Sequence, residues 1–317
     1  MLTIAFGPVP SRRLGKSLGV NNIPPKTCTY SCVYCQLGRT SNCLIERQIF
    51  YKPEDILKDV ERKVHEAIIR NEKIDYITFV PDGEPTLDVN IGKEISLLKR
   101  TRIPIAVITN ASLLWQEKVR EDLMNADLVS LKVDAVSQNL WTAINRPHKS
   151  LRLTAILEGI KEFAEAFNGT VISETMLIEA VKYNGEFLKI AEFLGGLDGL
   201  DKAYIAIPTR PPTEKWVRPA KEETLNSAFQ IFSKKLGSNK VELLIGYEGN
   251  AFAFTGNVKE DLLSITSVHP MREEAVTDFL RRAGAEMHVL EDLLRNGELV
   301  EVEYEGRKYY MRKMRRE

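Results

Sequence analysis

Between Ser17 and Ile207 the sequence switches repeatedly between two hydrophobic periods, and this alternation restricts the fold more than any other feature. Short β-branched runs read as strands at Ser17–Ile23, Asp75–Val80, Ile103–Thr109, Leu128–Asp134, Thr170–Ile178 and Ala203–Ile207. The stretches between them carry helical spacing. The clearest starts at Pro53, with Glu54 and Asp55 in a first turn where carboxylates favour the helix dipole. Its Ile56, Val60, Val64 and Ile68 form one apolar stripe. Another runs near Leu153–Phe167, with Ile156, Ile160, Phe163 and Phe167 on one side. Six strand–helix alternations predict an α/β fold around a parallel sheet with right-handed crossovers, either open and doubly wound or curled into a full or partial barrel.

In each of these architectures ligands gather at the carboxyl ends of the strands. The unusual residues fall there: the cysteine loop, Asp82-Gly83-Glu84, Asn110, Asp134 and Pro208. The stretch Pro208–Pro219 holds four prolines, so it reads as a stiff loop at the barrel mouth rather than a helix interior or central strand. A helix to about Lys235 and a strand Val241–Ile245 follow. A boundary falls near Thr255–Asn257, dividing the chain into a large domain (1–250) and a small one (256–317). The second reads as helices Met271–Ala283 and Met287–Arg295, then a hairpin of Leu299–Tyr304 and Arg307–Met311 across Glu305-Gly306, a winged-helix-like pattern.

The chain has four cysteines, Cys28, Cys32, Cys35 and Cys43, all in one short stretch. A disulfide framework spreads cysteines to staple distant segments, so a local cluster points to a metal. Cys28-x3-Cys32-x2-Cys35 wraps three corners of a 4Fe–4S cube and leaves one iron without protein sulfur. Structural zinc is the alternative, but it wants four closed ligands, commonly as two separated pairs, and no second pair exists. The histidines (His65, His148, His269 and His288) are distant in sequence, and Cys43 is the remaining fourth-ligand candidate.

Ser130, Lys132 and Asp134 alternate along the fourth strand and therefore share a face. Three polar residues on one face of a buried parallel strand suggest a lumen with a ligand, or a mutually satisfied Lys132–Asp134 pair. Glu174 and Met176 share a face of the fifth strand. Arg12, Arg13 and Arg210 would meet an anionic group, or else be solvated.

The cysteine loop, with the aromatic Tyr34 just before its third cysteine, resembles the cluster motif of the radical S-adenosylmethionine (radical SAM) superfamily. The resemblance implies a partial (β/α)6 TIM-like barrel, with a 4Fe–4S cluster on Cys28, Cys32 and Cys35. It also implies that SAM chelates the open iron and is cleaved by one electron to a 5′-deoxyadenosyl radical, which abstracts a hydrogen atom from a substrate. Asp82-Gly83-Glu84 resembles the Gly-Gly-Glu motif that receives the SAM amino group, with Asp82 in place of the first glycine. By the same resemblance Asn110 lies near SAM, Lys132 pairs with its carboxylate and Asp134 with its ribose. Ser130 and Glu174 are lumen contacts, and Pro208 marks the backbone position that meets adenine.

Asp82–Leu87, Thr109–Leu114 and Leu128–Asp134 are similar to segments of the tRNA wyosine-base synthases, over roughly residues 10–215. Those enzymes carry three further cysteines upstream for a second cluster, and this chain has none there. The resemblance therefore implies a relative with a different substrate: a tRNA base, a peptide or protein, or a small molecule. An electron donor such as ferredoxin or flavodoxin is implied as a partner. A non-catalytic metal-sensing winged-helix regulator is the reading from another class.

Lys+Arg and Asp+Glu stand at 44 each, so global charge does not point to nucleic acid. At the C-terminal end Arg307, Lys308, Arg312, Lys313, Arg315 and Arg316 would meet phosphates. Against this, Glu291 and Asp292 on the last helix, and Glu298, Glu301 and Glu303 on the hairpin, would repel them; a protein contact or a lid is the equal alternative. No apolar run approaches the ~18 residues of a membrane span, and no signal peptide is apparent, so a cytoplasmic protein without membrane association is expected.

Overall fold

The computed structural model describes residues 4–313; Arg315 and Arg316 of the basic end lie outside the described residues. The chain opens with an antiparallel hairpin, β1 (Ala5–Ser11) and β2 (Gly15–Val20). Sequence reading found only the second strand, because Gly7, Pro8 and Pro10 disguise the first. Prolines are tolerated there because β1 forms the edge of the sheet, where missing N–H groups break no ladder. Two short strands, β3 (Thr27–Cys28) and β4 (Asn42–Cys43), pair with each other and frame the cysteine loop.

The alternation then runs as predicted, with shifted ends: α1 (Pro53–Ile69), β5 (Tyr76–Phe79), α2 (Ile91–Leu98), β6 (Ile105–Thr109), α3 (Glu117–Leu123) and β7 (Leu128–Lys132). It continues through α4 (Gln138–Asn145), α5 (Leu153–Ala166), β8 (Thr170–Met176), α6 (Glu186–Gly195), β9 (Leu200–Ala206), α7 (Glu222–Leu236) and β10 (Val241–Leu244). The sheet order is β1-β2-β5-β6-β7-β8-β9-β10, and every pairing after β1·β2 is parallel.

Period two divides the strand residues between two cores. Val107, Val129, Leu131, Val171 and Ile205 pack under the helices. Ala106, Leu128, Ile172, Tyr204, Ala206 and Leu244 pack instead with Leu14, from the β1–β2 turn, on the concave face. Arg12 in that turn donates from Nη1 to the carbonyls of Leu244 (2.5 Å) and Gly246 (3.1 Å), tying the first hairpin to the last strand.

The stripe on α1 departs from expectation. Ile56 and Val60 are buried, but Ile68 is 68% exposed, and Lys63 and Ala67 take the buried face. Each residue advances the helix by about 100°, so a run of four-residue steps drifts by about 40° per step. Three steps carry Ile68 round to solvent. On α5 the expected residues are all buried, because their spacing includes a three-residue step.

After Phe252 come α8 (Val258–Val268), β11 (Met271–Arg272), α9 (Glu273–Ala283), α10 (His288–Arg295), β12 (Leu299–Tyr304) and β13 (Arg307–Arg312). The three strands pair in the order β11-β13-β12. The predicted helix start at Met271 is corrected: Met271 and Arg272 are strand, opposite Tyr310 and Tyr309. The sequence did not reveal α8, because its buried face includes Asp261, Ser264, Thr266 and Ser267. The three hydroxyls bond back to carbonyls of the preceding turn, which lets a polar helix be buried.

Phe6 and Val9 of β1 belong to this second core, with Phe252, Leu262, Phe279 and Leu290. Lys63 on α1 adds a buried tie, donating to Thr255 Oγ1 (2.6 Å) and Asp261 Oδ1 (3.0 Å).

Candidate active site

The cysteine loop hangs on the end of a helix. The Ser31 and Val33 N–H groups donate to the carbonyls of Asn145 (3.1 Å) and Ile144 (2.9 Å), in the last turn of α4, where helix carbonyls lack partners of their own. All four cysteines are free thiols and partly buried. Cys43 directs its Sγ to the Thr29 carbonyl at 3.7 Å. Among the described residues, no three His, Cys, Asp or Glu side chains gather closely enough to hold one metal ion.

Three thiolates on one loop suit a cube with one thiolate per iron and one open corner, whereas structural zinc wants four closed ligands. Burial raises the Cys28, Cys32 and Cys35 thiols, Cys32 to about 12; negative charge from Glu84 adds to the effect on Cys28, and from Asp134 on Cys32. A cationic metal centre binds thiolates and releases their protons, and a donor set of three loop cysteines fits an iron–sulfur cluster.

Asp82, Gly83 and Glu84 run against the start of this loop. The Lys26 N–H donates to the Asp82 carbonyl (2.7 Å), and the Glu84 N–H to the Thr27 carbonyl (3.1 Å). A β-carbon at Gly83 would overlap the Thr27 carbonyl, so this close approach requires glycine. The buried Glu84 carboxylate accepts from Thr86 N (3.1 Å), Thr86 Oγ1 (2.6 Å), Thr109 Oγ1 (2.5 Å) and Asn110 N (2.7 Å). Burial pushes Glu84 upward, and these bonds hold it back. Asp82 is buried, and its Oδ1 has no partner among the described residues. Burial lifts its carboxyl to about 8, while Arg312 and Lys26 pull it down. The C-terminal strand β13 therefore brings a cation towards this motif.

Asn110 follows β6, and its Nδ2 donates to Thr29 Oγ1 (2.8 Å) and Cys28 Sγ (3.5 Å). Ser130 is buried on the same face of β7 as Lys132. Lys132 does not pair with Asp134. Its Nζ meets Glu174 Oε1 at 2.5 Å, because the two occupy register positions of adjacent strands, and Arg13 takes Glu174 Oε2. The Lys132 ammonium also lies 5.0 Å from the Tyr34 ring centre. Asp134 accepts instead from Tyr34 Oη, Asn145 Nδ2 (2.6 Å) and Met176 N (2.9 Å).

Arg12 and Arg210 are also tied to the protein. Both lie against Glu248, and Arg210 donates as well to Gln36 Oε1 (2.7 Å) and contacts His269 Nε2 at 2.5 Å. Gln36, next to Cys35, donates to the Val268 carbonyl (2.7 Å). Tyr304 Oη donates to the Pro208 carbonyl (3.2 Å), and Tyr309 Oη to that of Thr209 (2.9 Å). The structure thus joins Asp82–Glu84 and Asn110 to the cysteine loop, and links Tyr34 with Asp134 and Lys132 with Glu174 and Arg13, while Arg12 and Arg210 meet at Glu248. It adds Thr29, Gln36 and Asn145, which sequence reasoning missed. Adjacency to Cys35 could have flagged Gln36; an asparagine ending a helix carries no such signal.

Residues 22–194 match the family model of the radical SAM superfamily, and the chain belongs to that superfamily. It is an enzyme, and its cofactors are a 4Fe–4S cluster and SAM. UPF0026 protein MJ1312 of Methanocaldococcus jannaschii is 51% identical over 315 residues, 99% of this chain and 97% of the relative. A UPF0026 protein of Helicobacter pylori is 32% identical over 231 residues, covering 71% of this chain and 72% of its own. A radical SAM methyltransferase from Sphaerobacter thermophilus has the same fold, with a TM-score of 0.57 at 14% identity, over 72% of this chain and 66% of that one. Among the described residues, no helix is long and apolar enough to cross a membrane.

Proposed function

We propose that the cluster is held by Cys28, Cys32 and Cys35, and that SAM binds over it at the carboxyl ends of β5 to β9. When bound, the pair supplies a 5′-deoxyadenosyl radical for hydrogen abstraction from a substrate. The observation that carries this reading is the contact of Asp82-Gly83-Glu84 with the cysteine loop. Two motifs far apart in sequence form one surface, so an amino group received at the motif also lies at the loop's open iron.

The remaining roles follow from geometry. Asn110 and Glu84 hold the end of β6 against the cysteine loop. Lys132 is the cation for the SAM carboxylate, with Ser130 beneath it and Glu174 and Arg13 holding its charge in the lumen. Asp134 fixes Tyr34 and stands at the ribose side, and Pro208 at the adenine side. The chain divides into a barrel domain (1–250) and a winged-helix-like domain (256–317), which covers the mouth. That domain grips the mouth loop through Tyr304 and Tyr309, and its last helix exposes Glu291 and Asp292, which disfavours phosphate contact.

The similarity of Asp82–Leu87, Thr109–Leu114 and Leu128–Asp134 to the wyosine-base synthases favours a tRNA base as substrate. Peptide, protein or small-molecule modification would use the same residues. The enzyme acts in the cytoplasm, supplied by a low-potential one-electron donor such as ferredoxin or flavodoxin. To test this, the protein is reconstituted without oxygen, reduced and given SAM. Formation of 5′-deoxyadenosine is expected, and its absence despite an intact cluster would overturn the proposal. Mass spectrometry of tRNA nucleosides from a deletion strain tests the substrate class; an unchanged profile removes the tRNA reading.

A further inference from the structure

Two of the three ligand cysteines receive a hydrogen bond from a carboxamide, and the two amides come from different parts of the chain. Asn110 Nδ2 lies 3.5 Å from Cys28 Sγ, and Asn145 Nδ2 lies 3.5 Å from Cys32 Sγ. Both distances are ordinary for a nitrogen donor and a sulfur acceptor. We propose that Asn110 and Asn145 raise the reduction potential of the cluster by each donating an amide N–H to a ligand sulfur.

The orientation of both amides is fixed. Asn110 Oδ1 accepts from Ser112 N (3.0 Å), and the second Nδ2 proton goes to Thr29 Oγ1 (2.8 Å). Asn145 is almost fully buried at the end of α4, and its Nδ2 also donates to Asp134 Oδ2 at 2.6 Å. Neither amide can rotate to present its oxygen to sulfur without breaking these bonds.

Each donor also stands at a sulfur with a carboxylate nearby. Cys28 has the Glu84 carboxylate among its neighbours, and Cys32 has Asp134. A carboxylate beside a ligand sulfur disfavours adding an electron to the cluster. An N–H pointed at that sulfur withdraws density from it and favours the reduced form. The amides are neutral, so they act without changing the charge of the site. One electron enters from a low-potential protein donor and leaves to the SAM sulfonium; the amides ease the first step at the expense of driving force in the second.

The inference rests on the cluster assignment, and the experiment separates the two. Full-length protein is reconstituted and its cluster titrated with reductant, followed by electron paramagnetic resonance, for wild type, Asn110→Leu, Asn145→Leu and the double variant. Leucine keeps the shape of asparagine and removes the donor. Iron and sulfide contents equal to wild type are required of each variant. Each single variant should titrate at a more negative potential, and the double variant lower still. An unchanged potential in the double variant overturns the proposal. Wild type that binds no iron would overturn the cluster assignment itself. Should Asn145→Leu fail to fold, wild type labelled with 15N in its asparagine side chains decides. Hyperfine coupling of amide nitrogen to the reduced cluster, reduced in Asn110→Leu, is expected, and a cluster without such coupling overturns the proposal.

Discussion

Lys132 and Glu174 occupy paired positions on β7 and β8, and their charges meet at 2.5 Å inside the barrel. Arg13 reaches the other carboxylate oxygen from the β1–β2 turn, so one buried anion contacts two cations. Glu174→Ala removes the carboxylate that both cations contact. The expected cost is about 3–5 kcal/mol in denaturant unfolding of the metal-free protein. A loss under about 1 kcal/mol would mean that the pair behaves as a solvated surface bridge.

Cys32→Ala removes a proposed ligand, whereas Cys43→Ala removes a thiol turned to the Thr29 carbonyl. After anaerobic reconstitution, Cys32→Ala should lose the 4Fe–4S signal and most of its iron. Cys43→Ala should retain both. Loss of the cluster in Cys43→Ala would make Cys43 the fourth ligand and close the open corner.

Gly83→Ala forces the Asp82–Glu84 segment away from the Thr27 carbonyl. Because that segment and the cysteine loop share their backbone bonds, the shift should weaken SAM binding more than it weakens the fold. Equilibrium binding of SAM to the reconstituted protein is expected to fall at least tenfold, with helical content unchanged.

The buried Glu94 gives stability a pH dependence. Burial raises its carboxyl to about 9, and the neighbouring Asp88 adds to the rise. The folded state thus holds a proton that the unfolded chain releases above its ordinary carboxylate range. Stability from this group is full below about pH 4.5 and declines as pH rises towards 9. The denaturation midpoint of the metal-free protein should fall over that window, and Glu94→Gln should flatten the slope. A Glu94→Gln profile parallel to wild type would contradict this.

Removal of residues 256–317 would expose Phe6, Val9 and Phe252, which pack in the C-terminal core, and would strip Lys63 of Asp261. The truncated chain should aggregate or lose its cooperative unfolding transition. A soluble fragment with the wild-type transition would show that the barrel stands alone.

The parts of the site that were legible in the sequence were local ones. Cys28, Cys32 and Cys35 stand on one loop, so their spacing alone suggests a cluster site. Ser130 and Lys132 share a face because period two dictates it, and Glu174 was found in the same way. The failures were equally physical. Ile68 was misplaced by accumulated helical drift, β1 was hidden by edge prolines, and α8 by a buried face of hydroxyls. Tyr304 and Tyr309 gave no sign that they bind the barrel mouth.

By itself the sequence determined the alternation of strand and helix, the faces of the strands and the clustering of the cysteines. Each depends on residues a few positions apart, whose relation the backbone period fixes. Only the tertiary structure decided that Lys132 answers Glu174 and not Asp134, that Asn145 donates to Cys32 across 113 positions, and that β1 joins the C-terminal core. A period says which way a side chain points; register and sheet curvature say what it meets, and those depend on the whole chain at once.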